Sequence, residues 1–129
     1  MTQKDKELLL KDLCVRLPFK VKISVNDKIE SLQGINILDN VVEYGSFLSC
    51  NIEEVKPYLR PMSSMTDEEK LEYRKTQWVY QADYCATEYF DDIDSYDWLN
   101  KDWLNKNHFD YRGLIEKGLA IDATGLNIY

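Results

Sequence analysis

The sequence predicts an α+β fold: an N-terminal helix, a three-stranded antiparallel β-meander with a small, barrel-like curl, and a C-terminal group of about three helices. Three observations predict it. Leu9, Leu10, Leu13 and Leu17 recur at helical spacing; the apolar period then falls to two from Val21 onward; and Thr66 with Glu69 opens a second, helix-patterned half.

In chain order, KDKELLLKDLCVRL reads as a short amphipathic helix ending near Pro18. In KVKISV, Val21, Ile23 and Val25 alternate with Lys20, Lys22 and Ser24, the pattern of a half-buried strand. Asn26-Asp27 suits a tight turn, and Lys28 to Leu38 reads as the returning strand, with a bulge or bend at Gly34. Asp39-Asn40 turns into a third strand, Val41 to Ser49. Asn51 and Glu54 resemble the cap of one helical turn stopped by Pro57, and PYLRPMSS reads as a stiff linker.

The chain is expected to form one domain over residues 1–129, with a β-rich half (1–62) and an acidic helical half (63–129). Thr66 and Glu69 form a capping box, with Asp67, Glu68 and Glu69 where the helix dipole favours negative charge. At about 100° per residue, Leu71, Trp78, Ala82, Cys85 and Tyr89 share a stripe expected to face the core. Tyr73, Tyr80 and Tyr84 form a second stripe about 160° away. It reads either as packing against the rest of the fold or as a partner-binding face. Ser95 opens a further helix to Asn107, Asp110 caps a last short one ended by Gly118, and the tail LAIDATGLNIY can add a strand. In DWLNKDWLNK (97–106) the two copies of a five-residue word are rotated by about 140° on a helix. Trp103 and Leu104 are then the expected core anchors, and Trp98 is left on another surface.

Charge narrows the function. Residues 1–62 balance nine basic against nine acidic side chains, so the net charge of −7 sits in the second half. Asp83 to Asp97 alone holds six carboxylates and no cation. This argues against direct binding to nucleic-acid phosphates and leaves room for a basic partner. No apolar run is long enough to span a bilayer, and the charged opening MTQKDKELLLKDL is not expected to be a signal peptide. Cys14, Cys50 and Cys85, without a CxxC pair, are expected to be reduced, mostly buried thiols of a cytoplasmic protein.

Chemistry is sparse. DDIDSYD fails as a calcium loop, because Tyr96, Asp97 and Trp103 stand where an EF-hand needs a ligand, glycine and glutamate. A looser divalent site on Asp91, Asp92 and Asp94 competes with an exposed acidic loop. His108, the one histidine, lies at a helix end and reads as a cap or interface residue. No nucleotide-binding or hydrolase motif occurs, so no catalytic, metal or cofactor residue is assigned and no enzyme is expected.

Two strings, NIEEVKPYLRPMSSMTDEEK at 51–70 and WLNKNHFDYRGLIEKGLA at 103–120, resemble a group of small uncharacterised proteins of gut-bacterial genomes, often near prophage or other mobile-element genes. The resemblance implies a cytoplasmic accessory protein in which PYLRPMSSMT and HFDYRGLIEKGL dock the two halves. It carries over no catalytic residue.

The leading expectation is a non-enzymatic interaction protein that binds another protein, or its own copy, through Tyr73, Tyr80, Tyr84 and Trp98. The alternative is an acidic mimic of nucleic acid that inhibits a DNA-handling enzyme through Asp91, Asp92 and Asp94. An enzyme with an unrecognised site comes last.

Overall fold

A computed structural model describes residues 1–76 and 101–129. Helix α1, Gln3–Arg16, starts at a capping box in which Thr2 and Asp5 satisfy each other's main-chain N–H groups. It ends in a 3-10 turn, Leu17–Phe19, where Pro18 takes an early position that needs no N–H. Leu9 and Leu13 point fully into the core.

The strands are β1 Lys22–Val25, β2 Lys28–Asn36, β3 Val41–Tyr44, β4 Leu48–Asn51, β5 Val55–Leu59 and β6 Ile121–Asp122. Among the described residues they form one open sheet in the order β4-β3-β2-β1-β5-β6. All neighbours are antiparallel except β5 and β6. The sheet is mixed and does not close, which corrects the barrel-like three-stranded meander. Asn26 and Asp27 both take left-handed φ, the requirement of a two-residue hairpin turn. The β2–β3 register shifts between Leu32 and Gly34, the expected bulge.

Two further corrections concern strands. The single run Val41 to Ser49 is broken into β3 and β4 by a turn at Gly45–Phe47, where Gly45 and Phe47 take left-handed φ. The first three residues of the supposed linker, Pro57 to Leu59, are the end of β5. Pro57 is tolerated because β5 pairs with β6 only from Tyr58 onward, so no bond to β6 is asked of its missing N–H. The capped turn before it is present as Ile52–Glu54, with Asn51 and Glu54 capping each other.

Helix α2, Asp67–Lys75, begins at the Thr66–Glu69 box. Helix α3, Asp102–Lys106, ends in a Schellman motif: Phe109 N–H bonds to Leu104 C=O at 2.9 Å and His108 N–H to Asn105 C=O at 3.1 Å. The expected last helix is a single turn. Asp110 accepts from the N–H groups of Leu114 and Ile115, and Gly118 takes left-handed φ to end it. Gly113, between these two stops, also takes left-handed φ and interrupts the helical run. Among the described residues the C-terminal group therefore has fewer helices than the sequence predicts. The predicted tail strand is β6.

Two apolar clusters result. One joins α1 to the sheet and to Leu114, Leu119 and Ala120; the other gathers Met65, Tyr73, Leu104, Phe109 and Tyr111, with Trp103 packed against it.

Candidate interaction surface

The polar groups at the centre of the molecule are structural. Asp12, fully buried on α1, accepts from Arg16 Nε through Oδ2 and from Arg112 through Oδ1, each at 2.8 Å. Arg16 also donates to the carbonyl of Phe109 at 2.6 Å. Both guanidinium groups lie beside the ring of Tyr111, at 5.4 and 4.7 Å, and Tyr111 donates to Asn105 at 2.9 Å. With Asp110 also buried, two acids and two bases balance within one enclosed region, which limits the cost of burying charge. The network ties α1 to HFDYRGL; it is enclosed and offers no opening to a substrate.

His108 occupies the left-handed position of the α3 cap, with φ of 63°. Its ring stacks on Tyr129 with centroids 3.6 Å apart. Burial first, then the nearby charges of Arg16 and Arg60, push its pKa down to about 4, so the imidazole is neutral at ordinary pH. The Tyr129 hydroxyl accepts from Lys22 N–H at 2.9 Å and donates to Tyr58 C=O at 2.7 Å. It thereby bridges β1 and β5 just beyond their last paired residues, Ile23 and Pro57. Beside this stack, Arg60, Lys106, Asn107, His108 and Tyr129 line a cleft of about 330 Å³. Arg60 is engaged by Glu69 at 2.8 Å and lies 4.1 Å over the Phe109 ring. Among the described residues no hydroxyl, thiol or carboxylate bonds to His108, and its buried Nδ1 has no partner. Among the described residues no nucleophile–base pair is assembled there. No group of three potential metal ligands occurs among the described residues either.

The surface is unusual elsewhere. The β3–β4 turn presents Phe47 with full exposure and left-handed φ of 69°, followed by half-exposed Leu48. A bulky side chain at positive φ is an outlier, and a fully solvated one gains nothing from burial in return. The β2–β3 turn, at the other end of β3, presents Leu38, 94% exposed, and Ile37. Asn40 of that turn accepts from Ile52 N–H, so the turn flanks the far end of β4. The two apolar tips lie beyond opposite ends of β3, a strand about 13 Å long. Gln33, Glu43, Tyr44, Phe47 and Leu48 line a cleft of about 520 Å³ at the Phe47 end.

The sites expected from sequence fall differently. Tyr73 is 1% exposed, packed on Trp103 with centroids 5.7 Å apart, and burial pushes its hydroxyl pKa up to about 12. It therefore belongs to the packing reading rather than to an exposed binding face. Leu71, expected in the core, is 45% exposed. Period fixes the angle between two stripes but not which one turns inward, and α2 turns its tyrosine toward Trp103 and Phe109. Tyr80, Tyr84, Trp98, Asp91, Asp92 and Asp94 lie outside the described residues, as do Cys85 and the Ser95 cap. Cys14 and Cys50 are unbonded and half-buried rather than buried, and burial raises both thiol pKa values. Leu104 is fully buried with Trp103 beside it, as anchors should be. Among the described residues no helix is long and apolar enough to cross a membrane.

Comparison of the chain with protein-family models, with curated proteins and with solved structures gave no match.

Proposed function

We propose that the protein is a non-enzymatic, cytoplasmic accessory protein that binds a protein partner through the β2–β3–β4 end of its sheet. The observation that carries this reading is Phe47, fully solvated and held at left-handed φ. Such a residue lowers stability without improving the fold, the mark of a side chain kept for contact. Leu48, Ile37 and Leu38 extend the same apolar character along the edge. Aromatic and aliphatic residues on a firm scaffold are what interface centres use. This proposed surface lies in the β-rich half; of the residues expected on the helical half only Tyr73 is among the described ones, and it is buried. The resemblance to small proteins of bacterial mobile elements favours an accessory role.

Photo-crosslinking in the producing cell tests this. A crosslinker at position 47 or 38 should yield one discrete adduct, and a crosslinker at exposed position 71 should not. Phe47→Asp should abolish the adduct formed from position 38 without lowering thermal stability. Identical products from all three positions, or none from 47 and 38, would defeat the reading.

A further inference from the structure

We infer that the cleft between the α3 cap and the C-terminal tail binds a small phosphate ester, with Arg60 and Lys106 holding the phosphate and Ser64, Thr124 and Asn127 lining the part that takes a hydroxylated body. The inference goes beyond the interaction reading and does not depend on it. The cleft residues follow β5 and β6, at the opposite edge of the sheet from β4.

Three observations support it. The first is a local reversal of charge. The chain carries 23 acidic against 16 basic side chains, yet the cleft of about 330 Å³ beside His108 is lined by two cations, Arg60 and Lys106, and by no Asp or Glu. A second cleft of about 290 Å³ shares Arg60 and Tyr129 with it and adds Ser64, Thr124 and Asn127, again without an acid. The second observation is unused donor capacity. Glu69 takes Nη2 of Arg60, and Nη1 and Nε make no hydrogen bond among the described residues. Lys106 makes no ion pair among them. The third is His108, which is 9% exposed, lines the cleft and has no hydrogen-bond partner for Nδ1. The charges that act on its ring are those of Arg16 and Arg60, both positive, so the field at that wall of the cleft favours an anion.

These features select the chemistry of the ligand. A planar guanidinium beside a lysine suits an oxyanion, and a phosphate ester offers three acceptor oxygens and nearly two charges where a carboxylate offers two oxygens and one. The acidic excess of the rest of the chain repels an extended polyanion, which leaves a small ligand rather than a nucleic acid. Asn107 donates its amide nitrogen to Trp103 C=O and keeps Oδ1 as an acceptor for a hydroxyl. The hydroxyls of Ser64 and Thr124 and the amide of Asn127 extend that polar lining into the adjoining cleft.

His108 is the only histidine in the chain, so its imidazole C–H signals report on the cleft directly in NMR. The full chain is titrated with glycerophosphate, inorganic phosphate, succinate and glycerol at matched ionic strength. Glycerophosphate should shift His108 and the amides of Asn107, Thr124 and Asn127 saturably, and bind at least about threefold more tightly than inorganic phosphate or succinate. Glycerol should shift nothing. Lys106→Gln should weaken glycerophosphate about threefold, and Lys106→Glu at least about tenfold. Lys106 is exposed, so neither change should lower the melting temperature. Lys28→Gln makes the same change of charge at the exposed start of β2 and should leave the affinity unaltered. Equal binding of inorganic phosphate overturns the hydroxylated body, and equal binding of succinate overturns the phosphate. Shifts that spare His108, no saturation below about 10 mM, or an equal loss in Lys28→Gln overturn the site itself.

Discussion

Arg112 donates to Asp12 at 2.8 Å across one hundred residues of chain, with the two side chains 3% and 0% exposed. A carboxylate this enclosed accepts from two guanidinium groups, so its removal takes a buried negative charge from beside two buried cations. Asp12→Ala should destabilise the fold by about 3–5 kcal/mol. Urea unfolding gives the number, and a loss below about 1 kcal/mol would place the network at the surface in solution.

Tyr129 replaces a direct bond between diverging strands with a hydroxyl that accepts from one and donates to the other. Tyr129→Phe keeps the ring on His108 but leaves the Lys22 N–H and the Tyr58 C=O without that bridge. The expected cost is about 1–3 kcal/mol. Amide exchange at Lys22 should accelerate with it; unchanged exchange there would mean that the bridge does not persist.

His108 predicts an acid dependence. Its folded pKa, about 4, lies below the ordinary value of 6.5. The unfolded chain therefore takes up a proton in that interval while the folded chain does not. Its contribution to stability is fully present above pH 6.5 and is lost as pH falls toward 4, with a slope of at most about 1.4 kcal/mol per pH unit. His108→Asn, which also suits the left-handed cap, should remove that slope in thermal melts recorded across the interval.

The inward turn of α2 separates two neighbouring residues. Tyr73→Ala should cost about 3–5 kcal/mol, as for other large buried aromatics, because it empties the space against Trp103. Leu71→Ser should change stability by no more than about 0.5 kcal/mol. Equal effects in calorimetry would contradict this orientation.

Phe47 should be improvable. Asparagine tolerates left-handed φ far better than phenylalanine, so Phe47→Asn should raise stability by about 1 kcal/mol while weakening partner binding. A variant no more stable than the parent would show that the phenylalanine costs the fold nothing.

The legible parts of the sequence were those written in local chemistry. The Thr66–Glu69 box, the Asn26-Asp27 turn, the Gly34 bulge and the Gly118 stop each act within a few residues, and each stands where the sequence placed it. What was hidden depended on partners distant in the chain. Asp12 and Arg16 stand four apart on α1, and only Arg112, a hundred residues on, shows why that face is buried. Their spacing on the leucine-bearing side of α1 was the available signal. Pro57 argued for a linker because the strands on either side of it come from opposite ends of the sequence. The exposed surface was missed for a related reason. Phe47 and Leu38 fall inside segments read as strand, and that reading does not show that a turn has carried an apolar side chain off the core face.

The bridges from Arg16 to Phe109, from Asp12 to Arg112 and from Lys22 to Tyr129 span 93, 100 and 107 residues. Closing a loop of that length costs about 4 kcal/mol of chain entropy before any contact forms. The hairpins can form early, in microseconds, but the assembly that encloses Asp12 must wait for a rare encounter between the two ends of the chain. While it waits, the apolar underside of the sheet is open to water and to other chains. Substitutions in the bridging network should therefore slow acquisition of the native state when the bridges form in the folding nucleus, whereas changes at the Phe47 and Leu38 tips should leave the rate almost untouched.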